Sequence, residues 1–262
     1  MQTLRYIILF AALPLALGAQ DKTKQQKNND VRELAATHKV MLIPFEPKLY
    51  FSEIDRSVNK ETGMNAREIK HRFRDGINEQ LYKAFKAGKY NVVDLMDDTA
   101  KYKKDVEGIY QFLSYQYQMI PDQEHYKAPE KEKEEKKIKK GQLVVETNSD
   151  KRFMNARVTN PKMVPGLSAK FKTDVFVFIN ELDIKGTDAA PGQSMGLEGN
   201  RIITVHYTVY TLDAREINSG IAESTLPPDV NNPKKIVDKY FQSIAATIVQ
   251  RVSAGLGYTP AK

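Results

Sequence analysis

The stretch Thr173-Asp-Val-Phe-Val-Phe-Ile-Asn-Glu-Leu-Asp-Ile184 decides the fold class of this 262-residue chain. It is apolar without interruption from Val175 to Ile179, so a strand formed here presents apolar side chains on both faces. Such a strand is typical of the middle of a sheet. We therefore expect residues 173–184 to form a central strand of an α/β domain.

The next segment has the pattern of an antiparallel strand with one wetter face. In residues 201–212, an apolar set of side chains alternates with a more polar set. A turn at 213–216 and a β-like run at 217–226 predict the return strand of a hairpin. The apolar set is Ile203, Val205, Tyr207 and Val209, and the other set is Thr204, His206, Thr208 and Tyr210.

The upstream part begins with a strand and a helix. Residues 39–45, Lys-Val-Met-Leu-Ile-Pro-Phe, predict a buried strand that Pro44 stops. An amphipathic helix follows, because apolar residues recur at every fourth position between charged ones. Asn65 with Glu68 predicts its start, and Gly88 predicts its end. The recurring residues are Ile69, Phe73, Ile77, Leu81 and Phe85.

Three further segments belong to this upstream part. Residues 46–64 are interpreted as a loop that carries two aromatic residues, Tyr50 and Phe51. Residues 89–95 predict a short strand. A second helix is expected from Asp97 or Asp98 to about residue 117.

The remaining segments complete one domain with a charged insertion. Residues 120–165 lose regular apolar spacing, and within them a β-like run at 141–147 is expected to pair with another at 152–158. Asn232 and Pro233 predict the start of a last helix that ends before Gly255. The expected fold is an α/β domain at residues 38–256 with a mixed sheet and helices packed on it, in the order β-α-β-α-insertion-β-β-β-α.

Residues 1–19 have the pattern of a secretory signal peptide. Arg5 precedes an apolar run of about a dozen residues, and small residues follow, with cleavage after Gly18 or after Ala19. Residues 20–37 are polar and predict a disordered leader, and residues 257–262 predict a tail. The chain has no Cys, which excludes disulfides, thiolate sites and a lipid-bearing Cys. We expect a bacterial protein that is periplasmic, or peripherally attached to the outer membrane.

The formal charge of +7 is modest for this length, and no zinc spacing or Gly-aromatic strand motif supports nucleic-acid binding. The densest charge run, residues 127–140, mixes both signs, which is typical of a solvated helix or a linker. The alternative is a basic patch that contacts an anionic membrane surface through Lys136, Lys137, Lys139 and Lys140.

Gly192-Gln-Ser-Met-Gly196 matches the pattern of a nucleophile elbow, but its context differs from that of a hydrolase. The elbow needs a strand before Ser194 and a helix after it, whereas here a loop precedes it and a strand follows. The later histidine, His206, also comes before the nearest later aspartate, Asp213. We therefore expect a flexible loop, with an ester hydrolase that uses Ser194 as the alternative.

The sequence predicts no metal, cofactor or acid/base site. The four histidines include no pair at metal-ligand spacing, and we expect His206 to be half-exposed and the other three to lie at the surface. Strand alternation places Asp174 on one face and Glu181 with Asp183 on the other, so these carboxylates are not expected to form an acid/base pair. The other histidines are His38, His71 and His125.

Tyrosines cluster in the expected second helix and at the start of the insertion. They can act as packing residues with wet hydroxyls, or as a contact surface for a protein or a glycan. The candidate partner-binding residues are therefore Tyr50, Phe51, Tyr110 and Tyr117, beside the four lysines of the charge run. The cluster is Tyr102, Tyr110, Tyr115, Tyr117 and Tyr126.

Short sequence segments in the predicted strands, and the order of these segments, resemble a group of bacterial envelope domains. The segments are Val40-Met-Leu-Ile-Pro-Phe45, Tyr90-Asn-Val-Val-Asp94, Asp174-Val-Phe-Val-Phe-Ile179 and Tyr210-Thr-Leu-Asp-Ala-Arg-Glu-Ile-Asn-Ser219. They resemble the fold shared by the TolB amino-terminal domain, the CsgG curli-secretion lipoprotein and the LpoB-type activators of penicillin-binding proteins. The resemblance covers residues 39–95 and 173–252. The lipobox Cys of the CsgG and LpoB members is absent, and the insertion has no assigned counterpart.

The resemblance implies an accessory envelope protein that binds other proteins and has no catalytic residues to carry over. We therefore expect a periplasmic, non-enzymatic protein that binds partners in a secretion, cell-wall or outer-membrane assembly. The alternatives are the Ser194 hydrolase and a glycan- or peptidoglycan-binding module that uses the tyrosines. A homo-oligomer is also possible, because an edge strand such as 217–226 can pair between subunits.

A serine-reactive probe separates the hydrolase from the expected binding protein. We expect a fluorophosphonate probe to label neither the parent nor Ser194→Ala, because the sequence around Ser194 does not predict the strand-turn-helix that activates such a serine. Labelling of the parent that disappears in Ser194→Ala would contradict this expectation and establish the hydrolase.

Overall fold

The computed structural model describes residues 33–129, 152–186 and 199–258, together with the backbone of two short strands at 138–139 and 142–143. Several sequence-based predictions lie outside the described residues: the signal peptide, the leader up to residue 32, the Ser194 motif, residues 259–262 of the tail, and the side chains of Lys136, Lys137, Lys139 and Lys140. Within the described ranges, no helix combines the length and the apolar character needed to cross a membrane.

The described chain forms helices and strands that alternate in its first half. The helices are α1 (residues 33–37), α2 (Asp55–Thr62), α3 (Ala66–Ala87), α4 (Thr99–Gln111), α5 (Met163–Phe171) and α6 (residues 233–255). The strands are β1 (Lys39–Ile43), β2 (Tyr50–Ser52), β3 (Asn91–Asp94), β4 (Leu113–Met119), β5 (Ile138–Lys139), β6 (Gln142–Leu143), β7 (Arg152–Val158), β8 (Val175–Gly186), β9 (Arg201–Thr211) and β10 (Glu216–Leu226).

The main sheet is mixed, as the sequence predicts, and β8 lies in its middle. The strand order is β10-β9-β8-β1-β3. β1 pairs in parallel with β3 and with the first half of β8, and β2 pairs in parallel with the second half of β8. β9 and β10 continue the sheet in antiparallel fashion. The expected α/β domain with a mixed sheet and packed helices is therefore confirmed.

One face of the sheet is covered by α3 and α6. Apolar side chains of both helices pack in one core with Val175, Val177 and Ile179 of β8. Asn65 forms the expected capping box with Glu68 at the start of α3, and Asn232 accepts a hydrogen bond from the Lys235 amide at the start of α6. Both helix starts predicted from capping residues are thus confirmed.

The other face is covered by α4, α5 and a two-stranded ribbon formed by β4 and β7. Met41, Phe176 and Phe178 of the sheet pack here against side chains from all these elements. The expectation that this side of β9 is wetter is wrong, because the ribbon covers it. Thr208 Oγ1 donates to Asn155 Oδ1 at 2.6 Å, and Tyr210 OH donates to the carbonyl of Ala156 at 2.9 Å.

The interpretation of residues 46–64 as a loop is wrong. A 3-10 turn at Pro47–Leu49, strand β2 and helix α2 occupy this segment. Apolar residues anchor it, since Ile54 and Val58 are fully buried. The elements are so short that no regular spacing of apolar residues shows in the sequence.

The second helix is also shorter than expected. It ends at Gln111 instead of near residue 117, and residues 113–119 form β4, whose apolar side chains at 113, 115, 117 and 119 alternate as strand residues do. β7 pairs with β4 and not with the expected run at 141–147, of which only 142–143 is described and pairs with β5. The helix α5 was not expected within the insertion and its flank.

The ends of the described chain pack on each other. The part of the predicted leader at 33–37 is helical, and Ala35 is buried. His38 is half-buried, because its ring contacts the Asp174 carboxylate and its Nε2 lies 2.6 Å from the Tyr258 hydroxyl. The surface position expected for His38 is therefore wrong, whereas His71 and His125 are exposed as expected.

The edge strand β10 contacts the segment that follows β4. Gln123 Nε2 donates to the backbone carbonyl of Ser219 at 2.9 Å, and Tyr126 OH donates to Glu216 Oε1 at 2.7 Å. Gly220 has a φ of 145°, and a Cβ at this position would come 2.9 Å from Gln123 Nε2. The segment therefore lies against β10 with no space left for a side chain at Gly220.

The closest approach of α3 and α6 depends on a glycine. Residues Ile236–Phe241 of α6 are π-helical, and Val237 in this segment is fully buried. A Cβ built on Gly76 of α3 would overlap with Cγ2 of Val237 and lie 3.0 Å from its Cγ1. Because β-branched Val has few alternative rotamers in a helix, the two helices would have to move apart to admit it.

We predict that Gly76→Ala lowers the free energy of unfolding by about 1–3 kcal/mol, because overpacking exceeds the gain in helix propensity. Adding Val237→Ala should recover part of the loss. The matched control is Gly108→Ala in α4, where a Cβ meets nothing within 4 Å. It should raise stability by about 0.5–1 kcal/mol. Urea denaturation measures all four proteins, and a stabilised Gly76→Ala would contradict this packing.

Candidate functional site

A β-bulge turns polar residues of β8 towards the ribbon. The pairing of β8 with β9 shifts register between Ile179 and Glu181. One extra residue at this point reverses the alternation of side chains, so Leu182 continues the core on the helix face, while Glu181 and Asp183 face the ribbon. Glu181 and Asp183 share a face, as the sequence predicts. The bulge places them on the face of Phe176 and Phe178, however, and not on the opposite face that strict alternation predicts.

These two carboxylates and a histidine form a buried cluster. The sheet register places Glu181 directly opposite His206 of β9. His206 Nε2 lies 3.5 Å from Glu181 Oε1 and 3.9 Å from Asp183 Oδ2. Glu181 is 0% exposed, His206 4% and Asp183 6%, so the expectation of a half-exposed His206 is wrong. Three titratable groups are therefore held together away from water, where each must be neutral or paired.

Three groups around the cluster donate hydrogen bonds to its residues. Tyr117 OH from the ribbon donates to Glu181, at 2.8 Å to Oε2 and 3.0 Å to Oε1. Lys185 Nζ donates to Asp183 Oδ2 at 2.5 Å. The backbone N–H of Met154 donates to His206 Nδ1 at 2.8 Å. Because Nδ1 accepts, the proton of the neutral imidazole lies on Nε2, which faces the carboxylates.

Burial sets the protonation states in the cluster. Loss of solvation, followed by the negative charge of Asp183, raises the pKa of Glu181 to about 7. Loss of solvation, followed by the positive charge of Lys185, lowers the pKa of His206 to about 3. Burial also raises the pKa of Asp183, and its hydrogen bond to Lys185 opposes this shift. At neutral pH the histidine is thus uncharged, and Glu181 exchanges its proton near this pH.

The cluster also has the spacing of a metal site, since one ligand atom from each of its three residues lies within 4.8 Å of the others. The hydrogen bonds oppose this use. A cation on His206 Nε2 would move the imidazole proton to Nδ1, where it would face the N–H of Met154. Lys185 already neutralises Asp183. The arrangement fits a hydrogen-bonded network better, although Asp183 Oδ1 is buried without a partner among the described residues.

Lys185 also lines a surface groove beside β2. The groove has a volume of about 420 Å³ and is lined by Tyr50, Phe51, Ser52, Glu53, Asp55, Ala66, Lys70 and Lys185. Its two acidic side chains accept hydrogen bonds from the protein: Tyr50 OH donates to Asp55 at 2.6 Å, and the Gly186 N–H donates to Glu53 at 2.7 Å. Phe51 is 45% exposed, and the Lys70 ammonium lies 6.0 Å from the centre of the Tyr50 ring.

Of the four aromatic residues predicted to bind a partner, two line the groove beside β2, one is linked to it through the buried cluster, and one lies elsewhere. Tyr50 and Phe51 line the groove, and Tyr117 is connected to it through Glu181, Asp183 and Lys185. Tyr110 lies elsewhere, where its hydroxyl donates to the carbonyl of Pro44 and accepts from Arg74. The four lysine side chains fall outside the described residues.

The cluster itself was not predicted from the sequence. A signal was present, because Glu181 and Asp183 interrupt an otherwise apolar strand. Acidic residues at such positions are rarely buried without a specific environment. The bulge and the ribbon that provide this environment are not visible in the strand pattern.

We predict that Glu181→Gln removes a pH-dependent loss of stability. The folded-state pKa of Glu181, about 7, lies above its ordinary 4.5, so the stability contributed by its protonated form is lost as pH rises through about 7. Between pH 5 and pH 8 the variant should gain about 1–3 kcal/mol relative to the parent. Chemical denaturation at the two pH values measures this difference.

The matched control is Glu223→Gln, since Glu223 lies exposed on the neighbouring strand β10 and accepts a hydrogen bond from Thr204. Its stability relative to the parent should be the same at both pH values within about 0.5 kcal/mol. A Glu181→Gln variant whose stability relative to the parent does not rise between pH 5 and pH 8 would contradict the raised pKa of Glu181.

Comparisons with known proteins give limited similarity. No protein-family model and no curated protein matches the chain. Among solved structures, the dodecamer of PelC from Paraburkholderia phytofirmans matches with a TM-score of 0.32 and 5% sequence identity, over 80% of this chain and 84% of that one. A variant of the same dodecamer matches with a TM-score of 0.34 and 6% identity, over 81% and 88% of the two chains.

Proposed function

We propose that this protein is a periplasmic, non-enzymatic accessory protein that binds partner proteins of an envelope assembly, in secretion, cell-wall synthesis or an outer-membrane complex. The observation that carries the proposal is the exposure of Phe51 in the groove beside β2. A large aromatic side chain in a concave site is a frequent anchor for a partner protein. The groove is the proposed docking surface.

The walls of the groove are held in place by the sheet. β2 pairs with the second half of β8, with Phe51 opposite Asp183. Glu53 extends this pairing, because its N–H donates to the Ile184 carbonyl and its carboxylate accepts the Gly186 N–H. Phe51 is thus presented on paired backbone and loses little freedom when a partner covers it.

The chemistry of the groove indicates the kind of segment that fits. Glu53 and Asp55 accept hydrogen bonds from the protein, and Lys185, whose side chain is 58% exposed, is paired with Asp183. Lys70 is partly exposed and forms no ion pair among the described residues, so its ammonium can offer a positive charge to a partner beside the apolar surface of Phe51. We infer that the partner provides an apolar side chain and an adjacent carboxylate.

The periplasmic location rests on the signal peptide expected at residues 1–19. Under the proposal, protein contacts hold the chain at its assembly. Peptidoglycan binding is a second candidate, since Tyr117 is 47% exposed.

Site-specific cross-linking tests the proposal. A photo-cross-linking phenylalanine analogue at position 51 should join the protein to a reproducible envelope protein in living cells, because the groove places this side chain against the partner. The same analogue at Leu212, which is 49% exposed in the turn between β9 and β10, is the matched control and should give no such product.

The yield of the adduct at position 51 should also fall when Lys70→Glu replaces the cation beside Phe51 with an anion. Equal products from positions 51 and 212 would contradict the docking surface. Attachment to cell-wall fragments alone would instead favour the peptidoglycan candidate.

A further inference from the structure

A second groove of about 420 Å³ lies between the middle of α3 and the carboxyl end of β3. Four carboxylates line it, and none of its lining residues is Lys or Arg, although the whole chain carries a formal charge of +7. Within the described ranges Asp75, Asp94 and Asp97 form no ion pair, whereas Glu79 pairs with Lys83. The lining residues are Asp75, Asn78, Glu79, Tyr82, Asp94, Met96, Asp97 and Thr99.

A buried amide in this groove lacks a hydrogen-bond donor. Asn78 is 2% exposed, and its Nδ2 donates to Asp94 Oδ1 at 2.6 Å. Its own Oδ1 is buried and has no partner among the described residues. Leaving a buried carbonyl unpaired is costly, so an N–H donor from a ligand would be favoured here.

Asp94, which is partly exposed, also has an oxygen to which a ligand can donate. Its Oδ1 accepts both the Asn78 amide and the N–H of Met96, at 2.6 and 2.7 Å, and none of the described residues donates to its Oδ2. Burial raises the pKa of Asp94, and the charges of Asp97 and Asp75 raise it further. A cation in the groove would relieve this repulsion.

The shape of the groove distinguishes an organic cation from a metal ion. Among the described residues, Glu181, Asp183 and His206 have ligand atoms close enough together to hold a metal ion. The carboxylates of the acidic groove are not spaced in this way. Tyr82, 39% exposed, and Met96 add an aromatic and an apolar wall. Separated acceptors between such walls suit a planar group with several N–H donors on an aliphatic stem.

We propose that this acidic groove binds an arginine side chain of a partner protein, with the guanidinium donating to Asn78 Oδ1 and Asp94 Oδ2. This site is distinct from the groove at Phe51, so a partner can be held by two separate surfaces. The exposed carboxylates of Asp75 and Asp97 attract the cation, and the buried Asn78 Oδ1 beside the partly exposed Asp94 selects for its geometry.

An NMR titration of the isotope-labelled protein tests the proposal with the blocked peptide Gly-Arg-Gly and its citrulline counterpart, which keeps the shape and loses the charge. The arginine peptide should shift the Asn78 side-chain amide and the Asp94 and Met96 backbone amides saturably, and the citrulline peptide should not. Asp94→Asn should weaken binding about tenfold, because it removes a charge-assisted acceptor.

Asp122→Asn is the matched control, since Asp122 is exposed outside the groove, and its affinity should equal that of the parent. Asp97→Asn, an exposed change, replaces Asp94→Asn if the latter alters the spectrum of the free protein. Shifts that never saturate, or equal shifts with citrulline, would overturn the proposal. So would calcium ions that shift the same resonances and displace the arginine peptide, because the groove would then be a metal site.

Discussion

The structure depends on the burial of one strand from both sides. Ten successive residues of β8, from Val175 to Ile184, are buried. Its apolar side chains are divided between two separate cores, one on each face of the sheet. Each core needs elements that pack on the sheet and shield it from water. Helices α3 and α6 pack on one face, and α4, α5 and the β4–β7 ribbon pack on the other. Every element that carries a candidate binding residue is thereby fixed relative to β8.

Elements with a long, regular pattern were predictable from the sequence. The central position of β8, the β9–β10 hairpin, α3 and the start of α6 all follow from apolar spacing and capping residues, since those signals are local. The ribbon was not predictable, because residues 113–119 continue a spacing that also suits a helix. Its pairing with β7 spans the insertion and is decided by tertiary contacts that no short window contains.

Some residues of the candidate sites were likewise predictable from the sequence, and others were not. Tyr50 and Phe51 were identifiable as aromatic residues between two predicted elements. The structure places them in strand β2 and not in a loop, and both line one groove. The network at His206 required a bulge at the Ile179–Glu181 step, which changes the face of every residue that follows it. The pairing of Asn78 with Asp94 joins a helix to a strand sixteen residues away. Such convergence depends on the packed geometry and leaves no periodic signal in the sequence.

The contact of Gln123 with the carbonyl of Ser219 has a consequence for self-association. An exposed edge strand is a template on which another chain can add by main-chain pairing, and β10 is the edge of this sheet. With Gln123 in place, an incoming strand must first release it from that carbonyl and displace Tyr126 from Glu216. The contacts of Gln123 and Tyr126 with β10 therefore compete with the addition of a strand from a second copy. Loss of these contacts would leave the edge open to pairing and favour aggregation.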